Sequence, residues 1–315
     1  MNADRIEKLL SELRTELGLA HEFKNGESLQ LLPGTPYSSF ALPIEYQPSR
    51  DLRPRWGNSR GEIPQLEEMF AANNDRYRDI LQYMQAQLPN LIDVPRVFNE
   101  ANLPQPAWLE VPFNPFDGVA LYAMLTKYRP ATFLEIGSGI STCFAHKAIT
   151  DARLNTRIIS IDPSPRAKID AICDLTVRDG LETIADLSIF SDLKAGDVLF
   201  FDGSHRTFMN SDVTVFFIDI LPVIKPGVIV HIHDITLPWD YPDMFINWYW
   251  SEQYMLATYL MASGPNVDIL FPTAWVCRKL IDHGFFSQST IDLGPDNAGH
   301  WRGGGSMWFT KRAPA

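Results

Sequence analysis

The sequence predicts an α/β fold with a doubly wound, mostly parallel sheet, preceded by a helical N-terminal region. From residue 131 onward apolar strand patterns alternate with helical ones, a glycine turn follows the first strand, and acids follow the next ones. This alternation is typical of parallel sheets whose ligands bind at the carboxyl ends of the strands. Strands are predicted at 132–136, 157–161, 174–177, 197–201, 227–232, 267–271 and 306–310, and helices at 141–150, 165–172, 182–190, 208–222 and 244–262.

Residues 1–105 are predicted to form the helical N-terminal region and residues 106–315 the main domain. Apolar residues at helical spacing predict one amphipathic helix between Ile6 and Leu17 and a second from Ile63 to Gln87. The first helix would pack on the main domain or mediate self-association, so a homo-oligomer stays open. Asp117 precedes a further helical run, and we expect it to be an N-cap there.

Composition limits the class of partner. The chain has 315 residues and a formal net charge of −11, and it shows no Lys/Arg cluster, which disfavours a nucleic-acid partner because a phosphate backbone needs a basic surface. Neither the apolar core of a signal peptide nor an apolar run of ~18 residues is present, so we expect a cytoplasmic protein without a membrane span. The three cysteines are far apart, and we interpret them as buried small side chains.

The stretch 132–142 is the most informative part of the chain. A strand ends at Glu135 and Ile136, and Gly137 and Gly139 form a turn that opens a helix, which is typical of a nucleotide-type cofactor site. A dinucleotide is disfavoured because Thr142 stands where its fingerprint has a third glycine, and because a diphosphate would lie beside Glu135. S-adenosylmethionine, which carries a sulfonium, an ammonium and a ribose diol, suits an acidic turn better. Asp162, at the end of the next strand, is where a ribose diol is normally held.

These motifs give the sequence its family resemblance. Residues from about 110 to 315 resemble class I S-adenosylmethionine-dependent methyltransferases, and more narrowly a bacterial small-molecule branch that carries D-G-S-H, here 202–205, and H-I-H-D, here 231–234. The resemblance implies a Rossmann-like fold with a final antiparallel strand near 306–310. It also implies that Asp162 binds the ribose hydroxyls and Asp179 faces the adenine. The full set of cofactor-binding residues assigned on this basis is Glu135, Gly137, Ser138, Gly139, Ser141, Asp162, Asp179 and Asp202.

Two strand ends carry candidate catalytic groups. Asp202 and His205 follow one strand, and His233 and Asp234 end the next, so these side chains are expected to converge above the sheet edge. A hydroxyl acceptor must lose a proton, either to a base or with the help of a divalent cation. We predict His205, His233 and Asp202 as catalytic residues. The arrangement resembles metal-dependent catechol-type methyltransferases, which implies a site for Mg²⁺ or another divalent ion at Asp202, His233 and Asp234. For His231, packing and a role in the pocket both stay open.

An aromatic segment follows these acids. Between Leu237 and Tyr259 the chain carries eight aromatic residues, of which we expect Trp239 and Tyr241 to contact the acceptor. The predicted function is methyl transfer from S-adenosylmethionine to a hydroxyl, with an amine as the second choice, of a small hydroxylated metabolite. A sugar or a polyphenol in secondary metabolism would fit. Two alternatives remain, a nicotinamide-dependent oxidoreductase and a non-catalytic S-adenosylmethionine-binding subunit.

Overall fold

The computed structural model describes residues 29–30, 40–41, 53–57, 60–109, 113–246, 248–281, 291, 293 and 303–313. The chain divides into two compact units, Met1–Leu52 and Arg53–Ala315. In the first unit, strand β1 (Leu29–Gln30) pairs antiparallel with β2 (Phe40–Ala41). The helix predicted between Ile6 and Leu17 lies outside the described residues. The boundary predicted at 105/106 falls inside the second unit, and the roles assigned on either side of it remain predictions.

A seven-stranded sheet forms the centre of the second unit. Its order is β5-β4-β3-β6-β7-β9-β8; β3 to β7 run parallel, and β9 is antiparallel to β7 and β8. The chain runs outward from β3 to β5 and then returns to β6 on the other side of β3, so the sheet reverses between β3 and β6. The strands are β3 Thr132–Ile136, β4 Arg157–Ile161, β5 Leu175–Val177, β6 Val198–Phe201, β7 Ile229–Ile232, β8 Val267–Pro272 and β9 Met307–Lys311.

The predicted fold class is confirmed, including the final antiparallel strand. Strands β6 and β7 are buried along their whole length, as expected for parallel strands covered by helices on both faces. Their largely apolar sequences, interrupted in β7 only by His231, are typical of such strands. The helices are α1 Pro64–Ala71, α2 Asn74–Gln87, α3 Pro115–Tyr128, α4 Ile140–Asp151, α5 Ser188–Ser191, α6 Asp212–Val215, α7 Leu221–Val223, α8 Asp243–Ile246, α9 Glu252–Ser263 and α10 Thr273–Lys279.

Several predicted helices are interrupted. The stretch 63–87 divides into α1 and α2, the stretch 208–222 contains a π-helical turn at Phe216–Ile220, and the stretches 165–172 and 182–190 keep only short 3₁₀ or α turns. The stretch 244–262 divides into α8 and α9 because the backbone N–H groups of Ser251 and Glu252 donate to the carbonyl oxygen of His205, at 2.8 and 3.2 Å. That contact comes from a distant loop, so local periodicity gives no sign of it. No helix within the described ranges is long and apolar enough to span a bilayer.

The N-cap prediction for Asp117 is wrong. Helix α3 is capped by Asn114, whose side chain accepts from the backbone N–H of Asp117 at 3.1 Å. Asp117 itself is fully buried, and it accepts hydrogen bonds from the Thr273 hydroxyl at 2.9 Å and from the Gly305 N–H at 2.8 Å. Because α3 is buried on nearly every side, its first-turn acid faces protein rather than solvent. Asp117 therefore joins α3 to the start of α10 and to the loop before β9.

Candidate functional site

The turn after β3 is shaped by a close approach of two chain segments. Gly137 has φ +78°, and a Cβ atom there would lie 1.9 Å from the carbonyl oxygen of Asp202. The segments are also bonded, because the Asp202 N–H donates to the carbonyl of Ile136 at 2.9 Å and the Gly137 N–H to that of Ile161 at 3.0 Å. A side chain at position 137 is therefore excluded by both conformation and space. The turn after β3 and the end of β6 therefore lie side by side at the same edge of the sheet.

Asp162 holds this turn. One of its carboxylate oxygens accepts from the Ser138 N–H and the other from the Ser164 N–H, both at 2.7 Å. The Ser138 hydroxyl is 2.8 Å from that of Ser160. Each carboxylate oxygen has a second lone pair, so Asp162 can still accept a hydroxyl proton from a ligand. Its predicted role with a ribose diol is compatible with this position.

Two adjoining cavities lie along the carboxyl ends of the strands. One, of about 240 Å³, is lined by six of the eight residues predicted to bind the cofactor: Gly137, Ser138, Gly139, Ser141, Asp162 and Asp202. The other, of about 420 Å³, shares Gly137, Asp162, Asp202 and Gly203 with it and extends to Gly180, Leu181 and Glu182. Phe98, from the region predicted to cover the site, also lines the first cavity. The shared residues make the two cavities one groove at the point where the sheet reverses.

Two of the residues predicted to bind the cofactor, Glu135 and Asp179, do not line either cavity. Glu135 is fully buried, receives a short hydrogen bond from the Thr142 hydroxyl, and has one carboxylate oxygen, Oε1, with no hydrogen-bond partner among the described residues. Burial raises the pKa of Glu135 to about 8, so a charge on this side chain is disfavoured at neutral pH. Asp179 is not part of either lining, whereas Glu182 lines the second cavity. Sequence reasoning missed Glu182 because a short 3₁₀ turn at Leu181–Thr183 directs the chain there.

Asp202, His205 and Asp234 converge beside this groove. The His205 Nε2 atom lies 3.4 Å from a carboxylate oxygen of Asp202 and 3.4 Å from one of Asp234. One ligand atom from each of the three side chains lies within 4.8 Å of the others. His205 and Asp234 both have left-handed backbones, with φ +62° and +54°. Such angles are uncommon outside glycine, although histidine, aspartate and asparagine adopt them more readily than other residues.

Glu252 anchors His205 from behind. Its carboxylate is fully buried and lies 2.8 Å from the His205 Nδ1 atom, while the Trp250 ring covers the imidazole at 4.0 Å between centroids. Burial opposes the charge on His205, but the hydrogen bond to Glu252 and the nearby carboxylates outweigh it and raise the pKa to about 9. Sequence reasoning missed Glu252, because an acid in the first turn of a helix ordinarily faces solvent there.

His231 and His233 point to the same side of β7, as their spacing predicts. His231 stacks on Phe200 at 3.9 Å, its Nε2 atom lies 2.9 Å from the Ser306 hydroxyl, and burial lowers its pKa well below the usual value. Of the two roles left open for His231, these contacts favour packing in the protein core. His233 is almost fully buried beside Phe113, with its Nε2 atom 3.7 Å from Asp234. The structure therefore groups His205, rather than the predicted His233, with the two acids.

The two residues predicted to contact the acceptor are packed inside the protein. Trp239 is 6% exposed, and the Arg278 guanidinium lies 4.2 Å above its ring. Tyr241 is 2% exposed, and its hydroxyl accepts from the Gln253 N–H at 3.3 Å. Neither ring belongs to the lining of the two cavities. Trp250, stacked on Phe245 at 4.2 Å, is the aromatic residue of this segment that contacts His205.

Residues 134–235 match the sequence profile of a family described as a methyltransferase domain. No curated protein matches the chain.

The chain is also similar to solved structures of low sequence identity. The SAH-bound Podospora anserina methyltransferase PaMTH1 is 13% identical, with 78% of this chain and 96% of that one covered and a TM-score of 0.39. The CmcI-N160 apo-structure is 19% identical, with 64% and 72% covered and a TM-score of 0.36. A putative methyltransferase from Thermobifida fusca YX is 11% identical, with 64% and 85% covered and a TM-score of 0.34.

The matched segment begins within β3 and ends just after β7, and it contains the glycine turn, Asp162, Asp202, His205 and Asp234. The order of these motifs along a doubly wound sheet is the one that the sequence predicted. This part of the chain is thus similar to the methyltransferase-domain family.

Proposed function

We propose that this protein transfers a methyl group from S-adenosylmethionine to a hydroxyl, or secondarily an amine, of a small hydroxylated metabolite such as a sugar or a polyphenol. The observation that carries the proposal is that Asp202 belongs both to the groove beside the glycine turn and to the cluster with His205 and Asp234. A cofactor in the groove and an acceptor at the cluster would therefore meet at one residue.

The residues of the groove fit the cofactor. Gly137 and Gly139 have no side chains, so a ligand can approach the backbone there. Helix α4 begins directly after them, and the N–H groups of its first turn are available to a bound ligand. Asp162 can accept from the ribose hydroxyls, and Glu182 lies on the wall of the second cavity. Bound S-adenosylmethionine supplies a methyl group on a sulfonium, which a nucleophile can displace.

The acidic cluster would prepare the acceptor. Methyl transfer requires the acceptor oxygen in line with the sulfonium methyl group, so positioning and exclusion of water supply much of the rate. The acceptor hydroxyl must lose a proton, which the Asp202 carboxylate can take. His205, whose raised pKa keeps it protonated near neutral pH, lies 3.4 Å from Asp202 and would stabilise the negative charge there. Trp250 covers one face of His205 and would exclude water there. The cluster also has the oxygen and nitrogen ligands that a divalent ion such as Mg²⁺ would need.

Calorimetric titration tests the cofactor half of the proposal. S-adenosylhomocysteine should bind the purified protein, NADH should not, and Asp162→Ala should weaken binding at least tenfold. Asp174→Ala is the matched control, because the Asp174 carboxylate also accepts a backbone N–H, from Ile158 at 2.8 Å, but lies outside both cavities. Binding of NADH without S-adenosylhomocysteine would replace the proposal with an oxidoreductase.

Turnover measurements test the second half of the proposal, methyl transfer to an acceptor. Catechols, vicinal-diol sugars and matched amines are incubated with S-adenosylmethionine, and release of S-adenosylhomocysteine is measured. Turnover on the hydroxylated compounds and its loss in Asp202→Asn are expected. Tight cofactor binding with no turnover on any hydroxyl or amine would instead favour a non-catalytic binding subunit.

A further inference from the structure

We propose that Arg166 is a cofactor-binding residue: its guanidinium pairs with the carboxylate in the methionine part of S-adenosylmethionine, and the protein thereby distinguishes this cofactor from analogues that have no carboxylate. The inference rests on the proposed function, because it concerns the cofactor that this function requires. It adds a cationic side chain to a set of cofactor-binding residues that was predicted from glycines, serines and acids alone.

Arg166 lies against the glycine turn, in the loop that follows β4. Its backbone N–H donates to the carbonyl oxygen of Ser138 at 3.4 Å, and its Cβ atom lies 3.7 Å from the point that a Cβ atom at Gly139 would occupy. Arg166 lines the cavity of about 240 Å³, together with Ser141 and Asp162. The side chain therefore begins at the wall of the groove, in the same loop as the acid predicted to bind the ribose.

The charges along the groove single out this arginine. Within the described part of the chain, Arg166 is the one cationic residue that lines either cavity, and the linings otherwise carry four carboxylates: Asp162, Glu182, Asp202 and Asp212. S-adenosylmethionine carries two positive groups, the sulfonium and the ammonium, and one negative group, the carboxylate. The acids suit the positive groups and the ribose hydroxyls, but they repel the carboxylate. Charge complementarity therefore places the carboxylate of the cofactor at Arg166.

The guanidinium of Arg166 is free to bind a ligand, whereas the neighbouring cations are paired. Lys168 lies 2.9 Å from the Glu100 carboxylate and Arg178 lies 2.7 Å from that of Asp170. No ion pair or hydrogen bond joins the Arg166 side chain to any residue that the structure describes. Because this side chain is exposed, it can turn toward a ligand without breaking a contact. A planar guanidinium can then donate two parallel hydrogen bonds to one carboxylate.

Calorimetric titration of the full-length protein with two ligands tests the inference without any acceptor. S-adenosylhomocysteine and its decarboxylated analogue, S-adenosyl-3-thiopropylamine, share the adenine, ribose, sulfur and amine and differ only in the carboxylate. The wild type should bind S-adenosylhomocysteine about 10–100-fold more tightly than the analogue, the usual effect of a hydrogen-bonded charge pair. Arg166→Met should bind both ligands with the affinity that the wild type has for the analogue. Arg166→Lys should keep part of the preference, because it keeps the charge but loses the fork of donors.

Lys168→Met is the matched control, because it removes a positive charge from the same loop but outside both cavities, and it should keep the wild-type preference. A wild type that binds both ligands alike would overturn the inference. So would an Arg166→Met variant that keeps the preference, since the N–H groups of α4 would then bind the carboxylate, or an equal loss in Lys168→Met, which would reflect overall charge. These results leave the proposed function standing, whereas a wild type that binds neither ligand removes both.

Discussion

The Cα atom of Gly137 lies directly against the carbonyl oxygen of Asp202, so that a Cβ atom at position 137 would be 1.9 Å from that oxygen. This contact joins the turn after β3 to the end of β6, and it brings the cofactor motif next to Asp202. The glycine is required for two separate reasons, its positive φ and the missing space.

Gly137→Ala should therefore destabilise the protein far more than a change of φ preference alone. Gly196→Ala is the matched control, because Gly196 has φ +91° and open space around its Cα. Gly196→Ala should lower the free energy of unfolding by about 1–2 kcal/mol, the usual penalty for a left-handed alanine. Gly137→Ala should lower it by on the order of 4 kcal/mol or prevent folding. Urea unfolding followed by circular dichroism measures both. Equal losses in the two variants would show that the approach of Asp202 relaxes at little cost.

The carboxylate of Asp117 accepts three hydrogen bonds, from the Asn114 side-chain amide, the Thr273 hydroxyl and the Gly305 N–H, and these predict that Asp117→Asn is destabilising. An asparagine offers one acceptor oxygen, so one of the donors from Thr273 and Gly305 would face an amide N–H₂ group. The loss should be about 2 kcal/mol, the cost of a buried unsatisfied pair, while the exposed Asp79→Asn should stay within roughly 0.5 kcal/mol of the wild type. Thermal or urea unfolding measures the difference. A neutral Asp117→Asn would mean that this network is already satisfied by other groups.

The buried Glu135 predicts a dependence of stability on pH. Burial raises its pKa from 4.5 to about 8, so between these values the folded protein holds a proton that the unfolded chain has released. Stability from this group is present at low pH and is lost as the pH rises through 8.

Glu135→Gln removes the titration while keeping the shape of the side chain. The free energy of unfolding of the variant, relative to the wild type, should increase between pH 5 and pH 9 by on the order of 3 kcal/mol. Urea unfolding at pH 5, 7 and 9 measures it, with Glu68→Gln as the exposed control. A difference that is constant with pH would mean that Glu135 is already ionised in the folded protein at pH 5.

The packing of Trp239 predicts a structural rather than an acceptor-binding role. Trp239→Leu should cost about 2–3 kcal/mol because it empties space between Arg278 and the backbone at Gly57, and it should leave the affinity for S-adenosylhomocysteine within twofold. Trp248→Leu, at a ring that is 46% exposed, should cost less than about 1 kcal/mol. Unfolding curves and calorimetry on the same preparations compare the two. A stable Trp239→Leu variant that has lost turnover would restore the acceptor role.

The sequence alone determined the sheet and the order of its motifs. Strands with largely apolar sequences, such as β6 and β7, and a glycine turn before α4 are local patterns, because burial on both faces and a positive φ each demand particular residue types. The convergence of acids at the ends of β6 and β7 was equally predictable, since parallel strands end at one edge. Six of the eight predicted cofactor residues line the cavity there for the same reason.

Only the tertiary structure decided which side chains of that edge act together. His205 joins Asp202 and Asp234 because Glu252, 47 positions further along the chain, holds its ring. The break between α8 and α9, the buried position of Asp117 and the packing of Trp239 likewise depend on contacts between distant segments. Side-chain type and local spacing fix periodicity and turns, whereas the partner of a buried polar group is set by whichever segment covers it.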